Sequence, residues 1–337
     1  MKYIVCEKPG VLGLKDKAAP LKSDGEALLR IERVGICGTD LHAYQGNQAF
    51  FTYPRILGHE LAGTVLEIEE NDQGLKVGDQ VAILPYLACN QCPSCVEGKT
   101  NCCEHLQVLG VHVDGGMQQL INIPIPYLIS ANKLSLEEIV LIEPLSIGRH
   151  ALVRAGVEES ACVVVIGCGP IGLGILKQAQ LMGANVVALD VNEARLAFAG
   201  EQFGIENTFL VDDKTLVRCR TCFNGSLATV VFDASGNKSA METGHHYMRY
   251  GGTYVLVGLY KHGLNFMHPE LHAKETTLLC SRNATREDFI AVMELLSSGL
   301  FPVSKYITHQ IEMKEIMTSF DLWIKPKSHL IKALVKF

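Results

Sequence analysis

The sequence contains no apolar stretch long enough to cross a membrane. Its most apolar segment, residues 161–176, is shorter than the ~18 residues that a spanning helix needs, and a Gly-Pro pair interrupts it. The first ten residues, MKYIVCEKPG, lack the long apolar core and the small-residue cleavage site of a signal peptide. These absences predict a soluble protein without a membrane partner, which we expect in the cytoplasm.

The chain also lacks a run of lysine and arginine. Its formal net charge is −6 and its pI is near 6.1, so neither a nucleic acid nor an anionic membrane is an expected partner. With 48% hydrophobic and 20% charged residues, the composition excludes disordered, collagen-like and coiled-coil proteins. At about 150 residues per domain, the 337 residues predict two domains, each large enough to bury a core without disulfides.

The pattern of apolar residues changes near Glu143. Before it, segments such as residues 27–34 and 63–69 alternate in part between apolar and polar residues, which predicts short strands joined by turns. After it, apolar runs of strand length alternate with helical stretches up to about residue 282, which predicts a parallel sheet with helices on both faces. The remainder is too short for a domain, and we expect it to pack on the first one.

Residues 162–172 read CVVVIGCGPIG, which places a G-x-G-x-x-G pattern directly after a buried strand and at the start of a helix. The first glycine permits a tight turn, the second lets the backbone approach a pyrophosphate, and the third lets the helix pack on the strand. The free N–H groups of the first helical turn favour an anion there. The expected cofactor contacts in this loop are Gly167, Gly169, Pro170, Ile171 and Gly172.

Asp190 ends the second strand, about 20 residues after the loop, where a carboxylate binds both adenosine ribose hydroxyls. That carboxylate would repel a 2′-phosphate, and Val191 beside it supplies no arginine to accept one. The expected cofactor is therefore NAD rather than NADP. Arg195, one turn into the next helix, is a candidate to flank the ribose, although a solvated helix position explains it as well.

Five of the twelve cysteines fall between Cys89 and Cys103, and four of them form the pattern C-x2-C-x2-C-x7-C. Thiolates at this spacing wrap a tetrahedral Zn²⁺ and leave no position for a substrate, and the metal would supply the folding energy that this polar segment lacks. The expected ligands of this structural zinc are Cys89, Cys92, Cys95 and Cys103. By spacing alone Cys102 could replace its neighbour. A separate C-x-x-C at Cys219 and Cys222 has no second pair and is interpreted as incidental.

A thiol, an imidazole and carboxylates form another pattern. Residues 35–42 read GICGTDLH, residues 58–60 read GHE, and Glu143 follows near the change in pattern. Singly, Cys37 could be a core thiol, His59 a hydrogen-bonded core histidine and Glu143 an acid at a helix N-terminus. Together they suit a catalytic zinc that keeps one position open for water or substrate.

These motifs, together with EPLSIG at residues 143–148 and VVVIGCGPIGLG at 163–174, resemble the zinc-dependent medium-chain alcohol and polyol dehydrogenases over nearly the whole chain. Within that superfamily the chain is most similar to the sorbitol and threonine dehydrogenase group, and more narrowly to bacterial L-gulonate or L-galactonate 5-dehydrogenases and the starvation-sensing subgroup. The resemblance implies an α/β fold, with a doubly wound Rossmann sheet at residues 143–282 that binds NAD. A β-rich, GroES-like zinc catalytic domain would comprise residues 1–142 and 283–337.

The resemblance also implies two zinc ions per chain, one catalytic and one structural, and a homodimer or homotetramer. The implied ligands of the catalytic zinc are Cys37, His59 and, as the third, Glu60 or Glu143, between which family members differ. Thr39 would pass the proton of the substrate hydroxyl onward, and His42 would lie further along this relay towards solvent. The zinc would lower the pKa of the substrate hydroxyl, so that hydride can leave to the nicotinamide.

We expect a small-molecule substrate with a secondary hydroxyl on a polyhydroxylated chain, specifically a hexonate such as L-gulonate or L-galactonate oxidised at C5. Arg149 and Arg282 lie near segments that line the substrate cleft in relatives, and either could hold a substrate carboxylate by two hydrogen bonds. A helix-surface position for Arg149, and a cofactor or subunit contact for Arg282, explain them as well. Weaker pocket candidates lie between the two zinc-ligand motifs: Gln48, Phe50 and Tyr53.

Three alternatives stay open. A dehydrogenase of neutral polyols, or of the threonine type, would share these motifs. A zinc-free quinone or enone reductase usually lacks both the cysteine pattern and the catalytic ligands, so their presence disfavours it. An NAD-binding sensor without turnover has no need of a proton relay at Thr39 and His42, which weighs against that reading.

Overall fold

A computed structural model describes residues 1–48, 51–325 and 329–337; Phe50 lies outside these ranges. In chain order the strands are β1 (Lys2–Lys8), β2 (Val11–Asp16), β3 (Glu26–Ile36), β4 (Arg55–Ile56), β5 (Glu60–Glu67), β6 (Gln80–Ile83), β7 (Tyr86–Leu87), β8 (Gln107–Val108), β9 (Leu120–Pro124), β10 (Leu128–Ser130), β11 (Cys162–Ile166), β12 (Asn185–Asp190), β13 (Asn207–Leu210), β14 (Ala228–Asp233), β15 (Met248–Leu256), β16 (Thr277–Cys280), β17 (Ile307–Glu312) and β18 (Lys332–Lys336). The helices are α1 (Gly38–Tyr44), α2 (Pro93–Val96), α3 (Leu136–Arg154), α4 (Pro170–Leu181), α5 (Glu193–Phe203), α6 (Thr215–Cys222), α7 (Lys238–Thr243), α8 (His268–Ala273), α9 (Arg286–Ser297), α10 (Val303–Tyr306) and α11 (Ile316–Trp323).

Within the described ranges, no helix combines the length and the apolar character that a bilayer span requires.

The chain forms two compact units, Met1–Pro144 with Thr285–Phe337, and Leu145–Ala284. The sequence predicts domain boundaries at 142/143 and 282/283. Each lies two residues before the corresponding boundary between these units. Helix α3 accounts for the first difference, because it contains Pro144 and continues without a break through the point where the sequence pattern changes.

In the first unit, a mixed sheet has the strand order β10-β6-β5-β3-β18-β17, and β9 also pairs with β3. The late strand β18 runs antiparallel to β3, with Ala333 opposite Ile36, and parallel to β17. Leu29 and Ile31 of β3 alternate with exposed Arg30 and are fully buried in the core of this unit. The segment after residue 285 thus completes the sheet begun by the N-terminal part.

The register of this sheet brings the candidate zinc ligands together. Gly35, near the end of β3, lies opposite Glu60, the first residue of β5. Cys37 follows β3 directly and His59 precedes β5 directly, so both lie at the same end of the sheet. Lys332, the first residue of β18, is at that end as well, because its neighbour is paired with Ile36.

The second unit is built on a parallel sheet with the order β13-β12-β11-β14-β15-β16. Strand β11 is central, and Val163, Val164 and Val165 are completely buried in it. The strand order reverses beside β11, so the carboxyl ends of β11 and β14 border the crevice where such sheets bind ligands. The predicted doubly wound α/β sheet is therefore confirmed.

Asn192 caps the helix that follows β12. The side chain of Asn192 accepts hydrogen bonds from the backbone N–H groups of Ala194 at 2.9 Å and Arg195 at 3.3 Å. This cap satisfies donors in the first turn of α5 that have no partner within the helix. It fixes the path of the chain between Asp190 and Arg195, the two residues expected to contact the ribose.

Candidate functional site

Cys37, His59 and Glu60 place one donor atom each within 4.8 Å of one another. Cys37 is the N-cap residue of α1, whereas His59 and Glu60 are buried. A sulfur and a nitrogen bound to one tetrahedral zinc lie about 3.6 Å apart, given bond lengths of about 2.3 and 2.1 Å. The spacing and the thiol, imidazole and carboxylate donors therefore fit a zinc ion.

Asp40 organises the residues behind this cluster. Its Oδ2 accepts a hydrogen bond from the Cys37 N–H at 2.8 Å, its Oδ1 accepts one from the Gly58 N–H at 3.3 Å, and Oδ1 lies 3.9 Å from His59 Nδ1. That Nδ1 is buried and has no hydrogen-bond partner among the residues that the structure describes. Burial opposes a charged imidazole, yet Asp40, Cys37 and Glu143 together hold the pKa of His59 well above its usual range. Surroundings that favour positive charge suit a bound cation.

Glu60 is held by a buried ammonium group. Lys332 Nζ donates to both Glu60 carboxylate oxygens, at 2.6 and 2.8 Å, and to the carbonyl of Ile36 at 3.2 Å. The side chains of both partners are at most 1% exposed. A Cβ atom at Gly35 would collide with Glu60 Oε2, so glycine is required where the carboxylate crosses β3.

Glu143 has a different partner. The buried Tyr86 hydroxyl donates to Glu143 Oε1, and the Tyr86 ring packs edge-on against Phe289 with 6.3 Å between ring centroids. Burial raises the pKa of Glu143. Of the two acids that the sequence left open as the third ligand, Glu60 is the one grouped with Cys37 and His59 within 4.8 Å.

Helix α1 and the following loop carry the other expected residues of this site. Thr39 and His42 are three positions apart and so share a helix face; Thr39 is half-buried and His42 is exposed. The Tyr53 hydroxyl donates to the Ala43 carbonyl, and its ring packs edge-on against Phe51 with 4.7 Å between ring centroids. The Tyr53 hydroxyl is thus already bound to the backbone of α1.

The cysteine segment forms a compact sulfur cluster. One sulfur from each of Cys89, Cys92, Cys95 and Cys103 lies within 4.8 Å of the others. Sulfurs bound to one zinc at about 2.3 Å are about 3.8 Å apart, and Cys92 Sγ and Cys95 Sγ are separated by 3.5 Å. Backbone N–H groups of Cys89 and His105 point at Cys103 Sγ, at 3.2 and 3.3 Å. Cys102 is exposed and lies outside the cluster.

The adjacent cysteines Cys102 and Cys103 provide a matched pair of variants. Cys103→Ser is expected to reduce the zinc content from two to one per chain. It should also make residues 85–113 sensitive to protease, because the metal supplies the folding energy of the segment that carries the four cysteines. Cys102→Ser should leave both zinc content and protease resistance unchanged. Elemental analysis and limited proteolysis with mass spectrometry measure the two effects. Equal behaviour of the two variants would rule out Cys103 as the fourth ligand.

In the second unit, the glycine-rich loop lies between β11 and α4. Gly169 is the N-cap residue of α4, and Pro170 and Ile171 begin the helix. A Cβ atom at Gly172 would collide with the Gly167 carbonyl oxygen, so the close packing of helix and turn requires glycine. A Cβ atom at Gly169 would meet no atom of the described part of the chain within 4 Å. The space in front of the helix N-terminus is therefore open to a phosphate.

Asp190 is buried beside this loop. Its Oδ2 accepts a hydrogen bond from the Cys168 N–H at 2.7 Å, and its Oδ1 accepts one from the Asn192 N–H at 2.9 Å. With Arg195 it lines a cavity of about 350 Å³, which Gly167 and Gly169 also border. Four of the seven predicted cofactor residues thus border one cavity, and Pro170, Ile171 and Gly172 are not among the residues that line it.

The two arginines expected to bind a substrate carboxylate occupy different positions in this unit. Arg149 Nη1 lies 3.9 Å from Met182 Sδ, past the C-terminal end of α4. That end is about 18 Å along the helix from the dinucleotide loop, at 1.5 Å per residue. Arg282 is exposed. Their roles toward a substrate stay predictions.

The second C-x-x-C pattern lies in α6. Burial raises the pKa of the Cys219 thiol to about 12 and also raises the pKa of Cys222. Thiols that stay protonated at neutral pH are poor nucleophiles, and neither cysteine belongs to a group of three or more potential metal ligands among the described residues. This supports the interpretation of the pair as incidental.

Several residues of these sites were not singled out from the sequence: Asp40, Tyr86, Ser235, Asn237 and Lys332. Asp40 lies inside the GICGTDLH motif, three residues after Cys37. That is the spacing of a helix capping box, so the sequence did contain a signal for Asp40. Ser235 and Asn237 follow the fourth strand of the parallel sheet, at the edge where ligands bind. Tyr86 and Lys332 carry no local signal, because only tertiary structure brings them to their acids.

Two family models match the chain. The alcohol dehydrogenase GroES-like domain matches residues 23–133, and the zinc-binding dehydrogenase domain matches residues 170–298.

Relatives that match over the full length of the chain indicate the same family. The chain is 41% identical to L-galactonate-5-dehydrogenase of Escherichia coli K12 over 337 residues, which cover 100% of this chain and 99% of the relative. It is 30% identical to the starvation-sensing protein RspB of the same organism, covering 100% and 99%. A solved structure of the RspB alcohol dehydrogenase of E. coli CFT073, complexed with NADH, superposes with a TM-score of 0.92 at 29% identity, covering 100% and 99%. The chain therefore belongs to the zinc-binding medium-chain dehydrogenases of the alcohol dehydrogenase family and is an oxidoreductase of that family.

Proposed function

We propose that this enzyme uses NAD to oxidise a secondary hydroxyl of a hexonate, such as C5 of L-galactonate or L-gulonate. The observation that carries the proposal is the 41% identity to L-galactonate-5-dehydrogenase over the whole of this chain. In this proposal the first unit is the catalytic domain and the second binds the cofactor, which agrees with the family models for residues 23–133 and 170–298.

Cys37, His59 and Glu60 would hold the catalytic zinc, and the four-cysteine cluster would hold the structural zinc. When bound, the catalytic zinc acts as a Lewis acid that stabilises the deprotonated form of a substrate hydroxyl. Asp40 orients this site through the Cys37 and Gly58 backbone, and Lys332 holds Glu60 in place through hydrogen bonds to both carboxylate oxygens. The face of α1 that carries Thr39 and His42 would lead the released proton to solvent, since His42 is exposed.

Asp190 is proposed to determine the preference for NAD over NADP. An Asp190→Asn variant keeps one side-chain oxygen, which can accept from only one of the two backbone N–H donors, and removes the charge that repels a 2′-phosphate. The ratio of kcat/KM for NAD to that for NADP is expected to fall roughly 10- to 100-fold, since a hydrogen bond to a charged group contributes about 1.5–3 kcal/mol. Glu193→Gln, at an exposed acid three residues on, serves as the control. Equal kcat/KM for both cofactors in the unmutated enzyme would exclude this role.

The substrate class is tested by comparing NADH formation from aldonates and from their matching alditols. Hexonates are expected to have the higher kcat/KM. A variant at the carboxylate-binding arginine should raise the KM for a hexonate about 10- to 100-fold without changing that for an alditol, because only the acid forms the charged hydrogen bonds. Arg282→Ala and Arg149→Ala are the candidates, with Arg154→Ala as the control.

Faster turnover of sorbitol or xylitol than of every hexonate would instead support a neutral polyol dehydrogenase. That alternative has its own support in a 32% identity to probable D-xylulose reductase A of Aspergillus fumigatus, covering 91% of this chain. NADH binding without turnover of any alcohol would support a sensor, the role named for RspB.

We also propose a cytoplasmic homodimer or homotetramer. Strand β16 ends the parallel sheet in the described part of the chain, and Leu278 on it is 40% exposed. An exposed strand edge with an apolar residue is a template for pairing with a second copy.

A further inference from the structure

A histidine pair in the second unit meets a carboxylate outside the zinc and cofactor sites described above. His245 and His246 lie in the 3-10 turn Gly244–Tyr247, and Glu270 lies in α8. His245 Nε2 is 3.1 Å and His246 Nε2 is 2.8 Å from the same oxygen, Glu270 Oε2. The three donor atoms all lie within 4.8 Å of one another.

This spacing is close to that of a metal site. Ligand atoms at about 2.0–2.2 Å from one tetrahedral zinc are about 3.3–3.5 Å apart. The measured separations of 2.8 and 3.1 Å would need to open by only a few tenths of an ångström for an ion to replace the two hydrogen bonds. Small rotations of His246 and Glu270 provide this, since both side chains are about half exposed, at 49% and 48%.

The site combines a rigid part with an open part. The His245 side chain is only 2% exposed, and the backbone of the turn is tied down by Lys274, whose Nζ donates to the carbonyls of His245 at 2.9 Å and of Met248 at 2.8 Å. The solvent side of His246 and Glu270 lets an ion enter without unfolding and leaves a coordination position for water. The preorganised His245 lowers the cost of ordering the site, because only His246 and Glu270 have to be immobilised.

The pKa shifts of His245 and Glu270 also suit metal binding. Burial lowers the pKa of His245, and hydrogen bonds from His246 and His245 lower the pKa of Glu270. Imidazole nitrogens must be neutral and the carboxylate ionised for coordination. Two imidazoles and one carboxylate are a donor set that suits Zn²⁺ and related divalent transition ions better than Mg²⁺ or Ca²⁺.

We propose that His245, His246 and Glu270 form a further divalent transition-metal site, distinct from the two zinc sites of the first unit. A bound ion would join α8 to the turn that precedes β15. Because α8 leads into the edge strand β16, the ion would stabilise the path of the chain into that edge.

Zn²⁺ is titrated by calorimetry into the enzyme that already contains two zinc ions per chain. One further equivalent with a micromolar Kd is expected. His246→Gln and Glu270→Gln should each weaken this binding at least tenfold while retaining two zinc ions and normal NADH formation. His272→Gln, a histidine of the same helix outside the cluster, is the matched control. Absence of a further equivalent up to 1 mM Zn²⁺, or a further equivalent that both cluster variants retain, would overturn the proposal.

A measurement on the unmutated protein keeps the test independent of variant folding. Diethyl pyrocarbonate modifies accessible histidines, and peptide mass spectrometry locates the modified residues. Zn²⁺ is expected to protect His246 at the concentrations at which the further equivalent binds, while exposed His262 stays reactive. Protection of His262 to the same extent, or none of His246, would show that the cluster does not bind the ion.

Discussion

A Cys37→Ser variant is expected to contain one zinc per chain in place of two and to lose about 10³-fold or more in kcat/KM. A serine hydroxyl stays protonated at neutral pH and is a poor ligand for zinc, whereas a thiolate binds it strongly. Loss of the bound Lewis acid removes several kcal/mol of transition-state stabilisation, and each 1.36 kcal/mol corresponds to a factor of ten. Elemental analysis and steady-state kinetics with NAD and the best hexonate measure both effects.

The Cys102→Ser variant is the control for this experiment, because Cys102 is exposed and outside both donor clusters. It should retain two zinc ions and full activity. Retention of two zinc ions by Cys37→Ser, together with activity within tenfold of the unmutated enzyme, would remove Cys37 from the catalytic site.

Replacing Lys332 with methionine is expected to lower the free energy of unfolding of the first unit by about 3–5 kcal/mol, since removal of one partner leaves a buried charge without compensation. In the zinc-free protein, which is the form to be measured, the stranded group would be the carboxylate of Glu60, which is completely buried. The chain contains a single tryptophan, Trp323, and it is buried in the first unit. Its fluorescence during urea unfolding therefore reports the stability of that unit.

The double variant Glu60→Gln with Lys332→Met should recover much of this loss, because it removes both buried charges. Lys336→Met, at the other end of β18, is the control and should change the stability by less than about 0.5 kcal/mol. A loss for Lys332→Met no greater than that of Lys336→Met would mean that the ion pair contributes little. A double variant as unstable as Lys332→Met would lead to the same conclusion.

The parts of the site that the sequence predicted are those encoded within short segments. The four cysteines of the sulfur cluster lie within 15 residues of chain, and metal-ligand spacing is a local property. The glycine-rich loop is local as well, and Asp190 follows it at the end of the next strand. Cys37, His59 and Glu143 were identified only as a combined set of metal donors, since each alone has an ordinary structural explanation, and the resemblance implied their roles.

The partners of these residues could not be predicted in the same way. Lys332 is 272 residues from Glu60, and Tyr86 is 57 residues from Glu143. A lysine in a short apolar strand and a tyrosine before a polar segment have no distinguishing pattern. Their roles follow from strand register and burial, which only the folded structure fixes. Helix α3 is a similar case, because the change in pattern at Glu143 lies inside a continuous helix.

The position of β18 in the sheet has a consequence for biosynthesis. This strand lies between β3 and β17, yet the ribosome makes it after the whole of the parallel-sheet unit. At about 5–20 residues per second, Lys332 follows Glu60 by roughly 14–54 s of translation, and for that time the carboxylate has no buried cation to meet. The inserted unit can therefore fold on the ribosome while the surrounding one is still incomplete. During that interval residues 33–36 of β3, which pair with β18 in the complete sheet, form an unpaired strand edge that can template wrong strand pairing.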